Sequence, residues 1–282
     1  VTSISGSYQS TASFGEVNVA GAEGTLKVKL YSGVANTVFG LGAGTGLTGS
    51  TASSVIIGTY AGINIRANAN TVIGKDSGRF LGQAYSQNNV AVGYQALMGA
   101  SASPSTNEAN NNVAVGYQSA LDITTGYENV TIGHAAAANI TTGYRSVIIG
   151  KSAGDAITTT PGVVLIGYNA GGAINHDDAA YTVAIGQSAG AAITSGRYQT
   201  LVGYNAGVSI TEGDSNTFIG YNSGDALTTG LENTALGYSS LGANITGQRS
   251  VAIGNNALGT NLTSGWTYNT AVGWGAGSNN TV

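Results

Sequence analysis

The sequence predicts an all-β fold, a parallel β-roll or β-solenoid of about fourteen coils of ~17 residues, assembled as several copies around a shared core. Three observations carry that expectation. First, a short apolar run ending in glycine, as in Asn112-Val113-Ala114-Val115-Gly116, recurs fourteen times. Its glycines are Gly40, Gly58, Gly74, Gly93, Gly116, Gly133, Gly150, Gly167, Gly186, Gly203, Gly220, Gly237, Gly254 and Gly273. Seven of the thirteen spacings are 17 residues, three are 19, and the others are 18, 16 and 23. A fixed frame with insertions at one point marks stacked coils whose loops leave from one edge. Second, residues alternate across each run as they do in a strand. Third, the chain holds 45 glycines but only two prolines, and just 8% of it is charged, which suits a tightly turned structural protein.

The first element is residues 1–35, which do not obey the frame. Their alternation (Val17, Val19, then Leu26, Val28, Leu30) predicts a few strands of a separate cap or connector. The repeat domain is residues 36–282. Three residues before each glycine stand only Val or Thr, and one residue before it only Ile, Val, Leu or Phe. The residue between them should be polar if its face met water, yet it is mostly apolar as well. A strand apolar on both faces is buried on both faces. One 17-residue coil encloses one interior, so the second face calls for another copy, and a closed ring of copies satisfies such surfaces. We assign positions −1 and −3 to the interior of the coil. Position −2 then faces the neighbouring chains, with Ala114, Leu165, Phe218, Ala235 and Ala252 as its representatives. The sequence leaves the reverse assignment open.

The rest of the unit is as regular. Position +3 is Ala or Ser in every repeat, which predicts a tight corner stacked on the next coil. A second short strand is expected around Ile or Leu at +7, as at Ile123, Ile140 and Ile157, followed by Thr-Thr-Gly, where glycine would supply the positive φ of a turn. Charges gather just beyond, at Glu128, Arg145, Arg197, Asp214, Glu232 and Arg249, which marks a solvated edge. Asn opens eight of the fourteen strands, and in register these amides can form a ladder. At ~4.8 Å per coil the rod is roughly 60–70 Å long. The 23-residue spacing holds Pro104 and reads as a surface loop.

Chemistry is sparse. A net charge of −4 gives no footprint for nucleic acid or an anionic membrane. The absence of cysteine removes disulfides, thiolate metal sites and cysteine nucleophiles. No apolar run approaches the ~18 residues of a membrane span. His134 and His176 occupy different repeat positions, and His176-Asp177-Asp178 reads as a solvated insertion. Asp155 and Asp225 are four coils apart, roughly 19 Å, too far for an acid/base pair. No enzyme, cofactor or metal site is expected. Fifteen tyrosines remain, six of them directly after the glycine, which reads as a stacked ladder or as a sugar-binding strip. The last coil adds Trp266, Tyr268 and Trp274, the candidate contacts for a receptor or glycan, or else a cap on the core.

Units such as Asn89-Val90-Ala91-Val92-Gly93-Tyr94-Gln95-Ala96-Leu97 and Asn233-Thr234-Ala235-Leu236-Gly237-Tyr238 resemble the repeats of phage and bacterial tail-fibre proteins. They are similar also to the head domains of trimeric autotransporter adhesins. The resemblance covers about residues 36–282. It implies a left-handed parallel β-roll assembled as a homotrimer, working in a tail or virion fibre as a rigid spacer and host-attachment element. The expected partners are further copies of the chain, a host cell-surface receptor with glycans among the candidates, and other fibre or virion proteins. The Tyr after the glycine and the Thr-Thr-Gly turn stand closer to the tail-fibre version than to the adhesin. A bacterial surface adhesin or an extracellular filament subunit is the alternative. An ice-binding solenoid with Thr pairs as its lattice ranks lower, because Asn175-His176, Thr211-Glu212 and the single Thr246 interrupt the array.

Overall fold

The computed structural model describes residues 17–21, 24–29, 36–47, 53–66, 68–82, 86–100, 108–260 and 268–278. Strands β1 (Val17–Gly21) and β2 (Gly24–Lys29) form an antiparallel hairpin. Fourteen three-residue strands follow, from β3 (Thr37–Phe39) to β16 (Thr270–Val272), each paired in parallel with the next in chain order. Each strand occupies positions −3 to −1 before a repeat glycine, in unbroken register, as in Val147↔Val164 and Ile149↔Ile166. The fold is therefore a parallel β-solenoid with the repeat read from the sequence. The hairpin joins its first coil through an antiparallel pairing, Val28 with Phe39 and Lys29 with Val38.

The glycine at the end of every strand has a steric cause. Its φ lies between +123° and +142°, and at Gly150 an added Cβ would stand 2.3 Å from the Gly167 carbonyl oxygen of the next coil. A left-handed backbone and a close approach between coils both require the missing side chain there.

The facing of the strand is the reverse of our assignment. Ala114, Leu165, Phe218, Ala235 and Ala252 are fully buried within a single chain. They point into their own coil and cannot form a face toward other copies. Leu165 lies with Ile148 and Ile157 around Gly154, where an added Cβ would touch all three. The interior is thus built from position −2, the small residue at +3 and the aliphatic residue at +7, and these columns form one continuous core.

Volumes within that interior compensate coil by coil. Phe218 at −2 faces Gly224 at +4, where a Cβ would lie 2.3 Å from its ring. Where position +4 holds Leu97, Leu241 or Leu258, position −2 shrinks to Ala91, Ala235 or Ala252, and beside the first two +7 shrinks to Ala100 or Asn244. One large side chain fills the same space from a different rung, as close packing demands.

Two local expectations also change. The segment after +7 forms no strand among the described residues, although it still stacks: Thr124, Thr125 and Gly126 all donate their N–H groups to the Thr141 carbonyl, at 2.9, 3.2 and 3.1 Å. Three donors converging on one oxygen make a corner, where a strand would alternate. Glycine in Thr-Thr-Gly does not supply the positive φ. Gly126 is needed because a Cβ would meet the Gly143 carbonyl oxygen at 2.6 Å, and the left-handed residue is Glu128, φ 57°.

The asparagine ladder is present. Asn129 donates its Nδ2–H to Asn112 Oδ1 at 3.1 Å and to the Gly143 carbonyl at 2.8 Å, while its Oδ1 accepts the Ser146 N–H at 3.1 Å. Asn70, Asn89, Asn112, Asn216 and Asn233 repeat the bond to the corner carbonyl. Each amide therefore ties its own coil shut and joins the neighbouring coil.

Candidate binding surfaces

With position −2 inside, positions −3 and −1 face outward. In most coils they are half-buried, and Phe39, Ile219, Leu236 and Val272 are 39–67% exposed. Val or Thr at −3 and Ile, Val, Leu or Phe at −1 make a two-column uncharged and largely apolar strip along all fourteen strands, with threonine at six of the −3 positions. Water-facing sheet surfaces normally alternate to polar residues. This strip carries no charged side chain.

One residue past each glycine runs an exposed column that holds the tyrosine ladder. Ring centroids are 5.3 Å apart for Tyr94–Tyr117, 4.8 Å for Tyr117–His134, 5.0 Å for Tyr204–Tyr221 and 5.2 Å for Tyr221–Tyr238, all nearly parallel. The repeat height matches the stacking distance, so residues in register stack face to face. Lys75 Nζ covers Tyr94 at 5.6 Å and Lys151 Nζ covers Tyr168 at 5.9 Å. A second, shorter stack, Tyr127–Tyr144 at 4.9 Å, stands on the other flank of the strands.

That second flank carries three ion pairs. Glu128 pairs with Arg145 at 2.9 Å, Asp214 with Arg197 at 3.1 Å and Glu232 with Arg249 at 2.6 Å, each between adjacent coils. The hydrogen bond to the carboxylate raises each arginine further above its ordinary value. All are exposed except the half-buried Asp214, so each contributes little to stability.

Tyr268 and Trp274 of the last coil do not form one cluster. Tyr268 lies on the charged flank, where its hydroxyl accepts a bond from Arg249 at 3.1 Å. Trp274 stands in the column beyond the glycine, 81% exposed, and the strand Thr270–Val272 runs between the two. Trp274 borders an open cleft of about 310 Å³ with Asn256, Gly259, Thr260, Gly275 and Ser278. Trp266 lies outside the described residues.

The threonine columns suit ice poorly. Thr124, Thr141, Thr194, Thr211 and Thr228 each donate their hydroxyl to a carbonyl of the next coil, at 3.0–3.4 Å. The inner threonine of each pair is half-buried, and the more exposed outer column holds His176 and Glu212.

Among the described residues no three His, Asp or Glu side chains come together. His176 Nδ1 accepts the Asp178 N–H at 3.2 Å within a solvated turn, and its neighbours are exposed. Burial raises the Asp122, Asp155 and Asp225 carboxyls above their ordinary value. Among the described residues no helix is long and apolar enough to cross a membrane. Comparison with protein-family models, curated proteins and solved structures returns no match to this chain.

Proposed function

We propose that this chain is a structural fibre segment. In this reading three copies pack their uncharged strips together into a rigid spacer that serves host attachment in a tail or virion fibre. The observation that carries the reading is the unpartnered strip. At roughly 50 Å² for each of its 28 outward side chains, it offers about 1,400 Å² per chain, or about 700 Å² to each of two neighbours in a trimer, close to the ~800 Å² per partner of a standard interface. Left uncharged along the whole rod, such a surface invites association. The number three, the left-handed coil and the fibre role rest on the tail-fibre resemblance. Trp274, the most exposed large apolar side chain described, is the receptor anchor this reading favours. A bacterial surface adhesin or extracellular filament would use the same strip, and labelling virions against cells with an antibody to the chain separates them.

The test of assembly is direct. Light scattering should give three times the 28.0 kDa chain mass. Ile149→Lys with Ile166→Lys places two cations per chain on the strip, and unpaired buried charge costs several kcal/mol. The double variant should fail to form the trimer, with a melting temperature at least ~10 °C lower. A well-folded wild-type monomer at micromolar concentration would refute the assembly.

A further inference from the structure

Each coil closes through a return segment that runs from position +8 to the residue before the next strand. Three columns of bonds stitch this segment to its neighbours. At the corner, N–H groups converge on one carbonyl, as those of Thr141, Thr142 and Gly143 do on Thr158. At position −5 a backbone N–H donates to the preceding coil: Glu128 to Asn110 at 3.0 Å, Arg145 to Tyr127 at 3.0 Å, Gly162 to Tyr144 at 2.9 Å. At position −4 a side chain accepts the N–H of the next coil, Asn129 from Ser146 at 3.1 Å and Ser146 from Val163 at 3.2 Å.

All three columns lapse around the return segment 175–182. Among the described residues, Thr158, Thr159 and Thr160 donate no backbone N–H to it, and Asn175, His176 and Asp177 donate none to the segment that follows. Tyr181 and Tyr198 make no −5 bond, which returns at Ser215, donating to Arg197 at 2.9 Å. Val163 offers Thr182 no side-chain acceptor, and the buried Thr182 Oγ1 has no partner, so it accepts nothing from Gln199. The −4 column resumes when Gln199 Oε1 accepts the Asn216 N–H at 3.3 Å.

The lapse is confined to one side of the rod. Across the same steps strand β10 (Val164–Ile166) stays in register with β11 (Val183–Ile185), and the corner after the glycine keeps its bonds, Gly171 to Ala189 at 3.0 Å and Ala173 to Ala191 at 3.1 Å. The segment is bonded largely to itself. Its short 3₁₀ turn, Asp177–Ala179, is closed by Ala179 donating to His176 and Ala180 to Asp177, both at 3.1 Å. Outward it meets the hydroxyls of Thr159 and Thr160, the Tyr198 ring and the charge of Arg197. Its buried apolar residues are two alanines, Ala179 and Ala180, which bury little area.

We infer that residues 175–182 form a local opening unit, a return segment that swings out of the wall while β10 and β11 stay paired. Local opening falls to the part of a fold with the fewest bonds to its surroundings and the least buried apolar surface. One net hydrogen bond changes an opening constant about fivefold, so three missing bonds favour this segment by about a hundredfold over its equivalents. Opening uncovers Val163 and Ile174, both buried when the segment is closed, at one fixed height of the rod. The inference stands apart from the fibre reading and needs no assembly.

The chain contains no cysteine, so one introduced thiol reports its own exposure. Ala179→Cys, Ala189→Cys and Ala136→Cys each replace a fully buried alanine: in the segment, in the next coil's corner and in a distant coil. The native full-length variants are reacted with iodoacetamide. Ala179→Cys should be modified at least ~100-fold faster than the other two, at a rate that low urea hardly changes, because local opening exposes little surface. Equal rates at 179 and 189 mean that the whole coil opens, and equally slow modification at all three means that nothing opens; either result overturns the inference. Amide exchange of the unmodified chain guards against a variant that fails to fold. The Thr182 and Gln199 amides should exchange at least ~100-fold faster than those of Ser146 and Asn216, and equal protection also overturns it.

Discussion

Asn129→Ala tests what closes each coil. The substitution removes three bonds: to the Gly143 carbonyl at 2.8 Å, to Asn112 Oδ1 at 3.1 Å, and from the Ser146 N–H at 3.1 Å. Asn112 Oδ1 keeps a donor, the Asn129 backbone N–H at 3.0 Å. The Ser146 N–H and the Gly143 carbonyl, both buried, lose their side-chain partner. A buried polar group left without a partner costs about 1–3 kcal/mol, so the variant should lose roughly 3–5 kcal/mol. Asn129→Ser should lose only about 1–2 kcal/mol. Serine already occupies this position at Ser146, whose hydroxyl accepts the Val163 N–H at 3.2 Å. Urea denaturation followed by far-UV circular dichroism reads the global loss. Repeat arrays can open locally, so exchange of the Ser146 amide supplies the local one. Alanine and serine variants that agree within about 0.5 kcal/mol, with the Ser146 amide equally protected, would refute the role of the ladder.

Two further outcomes follow from burial. Ala235→Glu places a carboxylate inside the coil of a single chain, so it should abolish the β-sheet circular dichroism signal and not only assembly, whereas Glu232→Ala on the exposed flank should stay within about 0.5 kcal/mol of wild type. A folded, dissociated Ala235→Glu chain would restore the opposite facing. Burial raises the Asp155 and Asp225 carboxyls, so the folded chain holds these protons to higher pH than the unfolded chain does. Stability should then fall as pH rises through the window just above the ordinary carboxylate value of about 4. Asp155→Asn with Asp225→Asn should stabilise the chain near neutrality and flatten that slope, and an unchanged urea midpoint across the window counts against it.

The period, the strands and the asparagine ladder were legible because each rests on a constraint that every coil repeats. The strand-end glycine is the clearest case, since no other residue fits both its φ and the carbonyl of the next coil. The facing was harder because both faces are apolar, and hydrophobicity alone cannot tell the core from a surface awaiting a partner. A usable signal lay elsewhere. Leu97, Leu241 and Leu258 occur only where −2 is alanine and +7 is small, and such an exchange happens only among side chains that share one cavity. It places −2, +4 and +7 together inside the coil and leaves −3 and −1 outside. The second strand was over-read because an apolar residue followed by Thr-Thr looks extended, while the hydrogen bonds converge on a single carbonyl.

The same reasoning explains why binding residues resist detection in such a chain. Core columns vary only in compensating sets, so a departure there reports packing. Exposed columns are free of that restriction, and a departure there changes the surface without disturbing the coil. Tyr268 shows that an unusual residue is not enough, for its hydroxyl is tied to Arg249 beside Glu232. Specificity in a solenoid is therefore sought by reading down a column, where neighbours are one coil apart, and not along the chain, where they are turned to different sides.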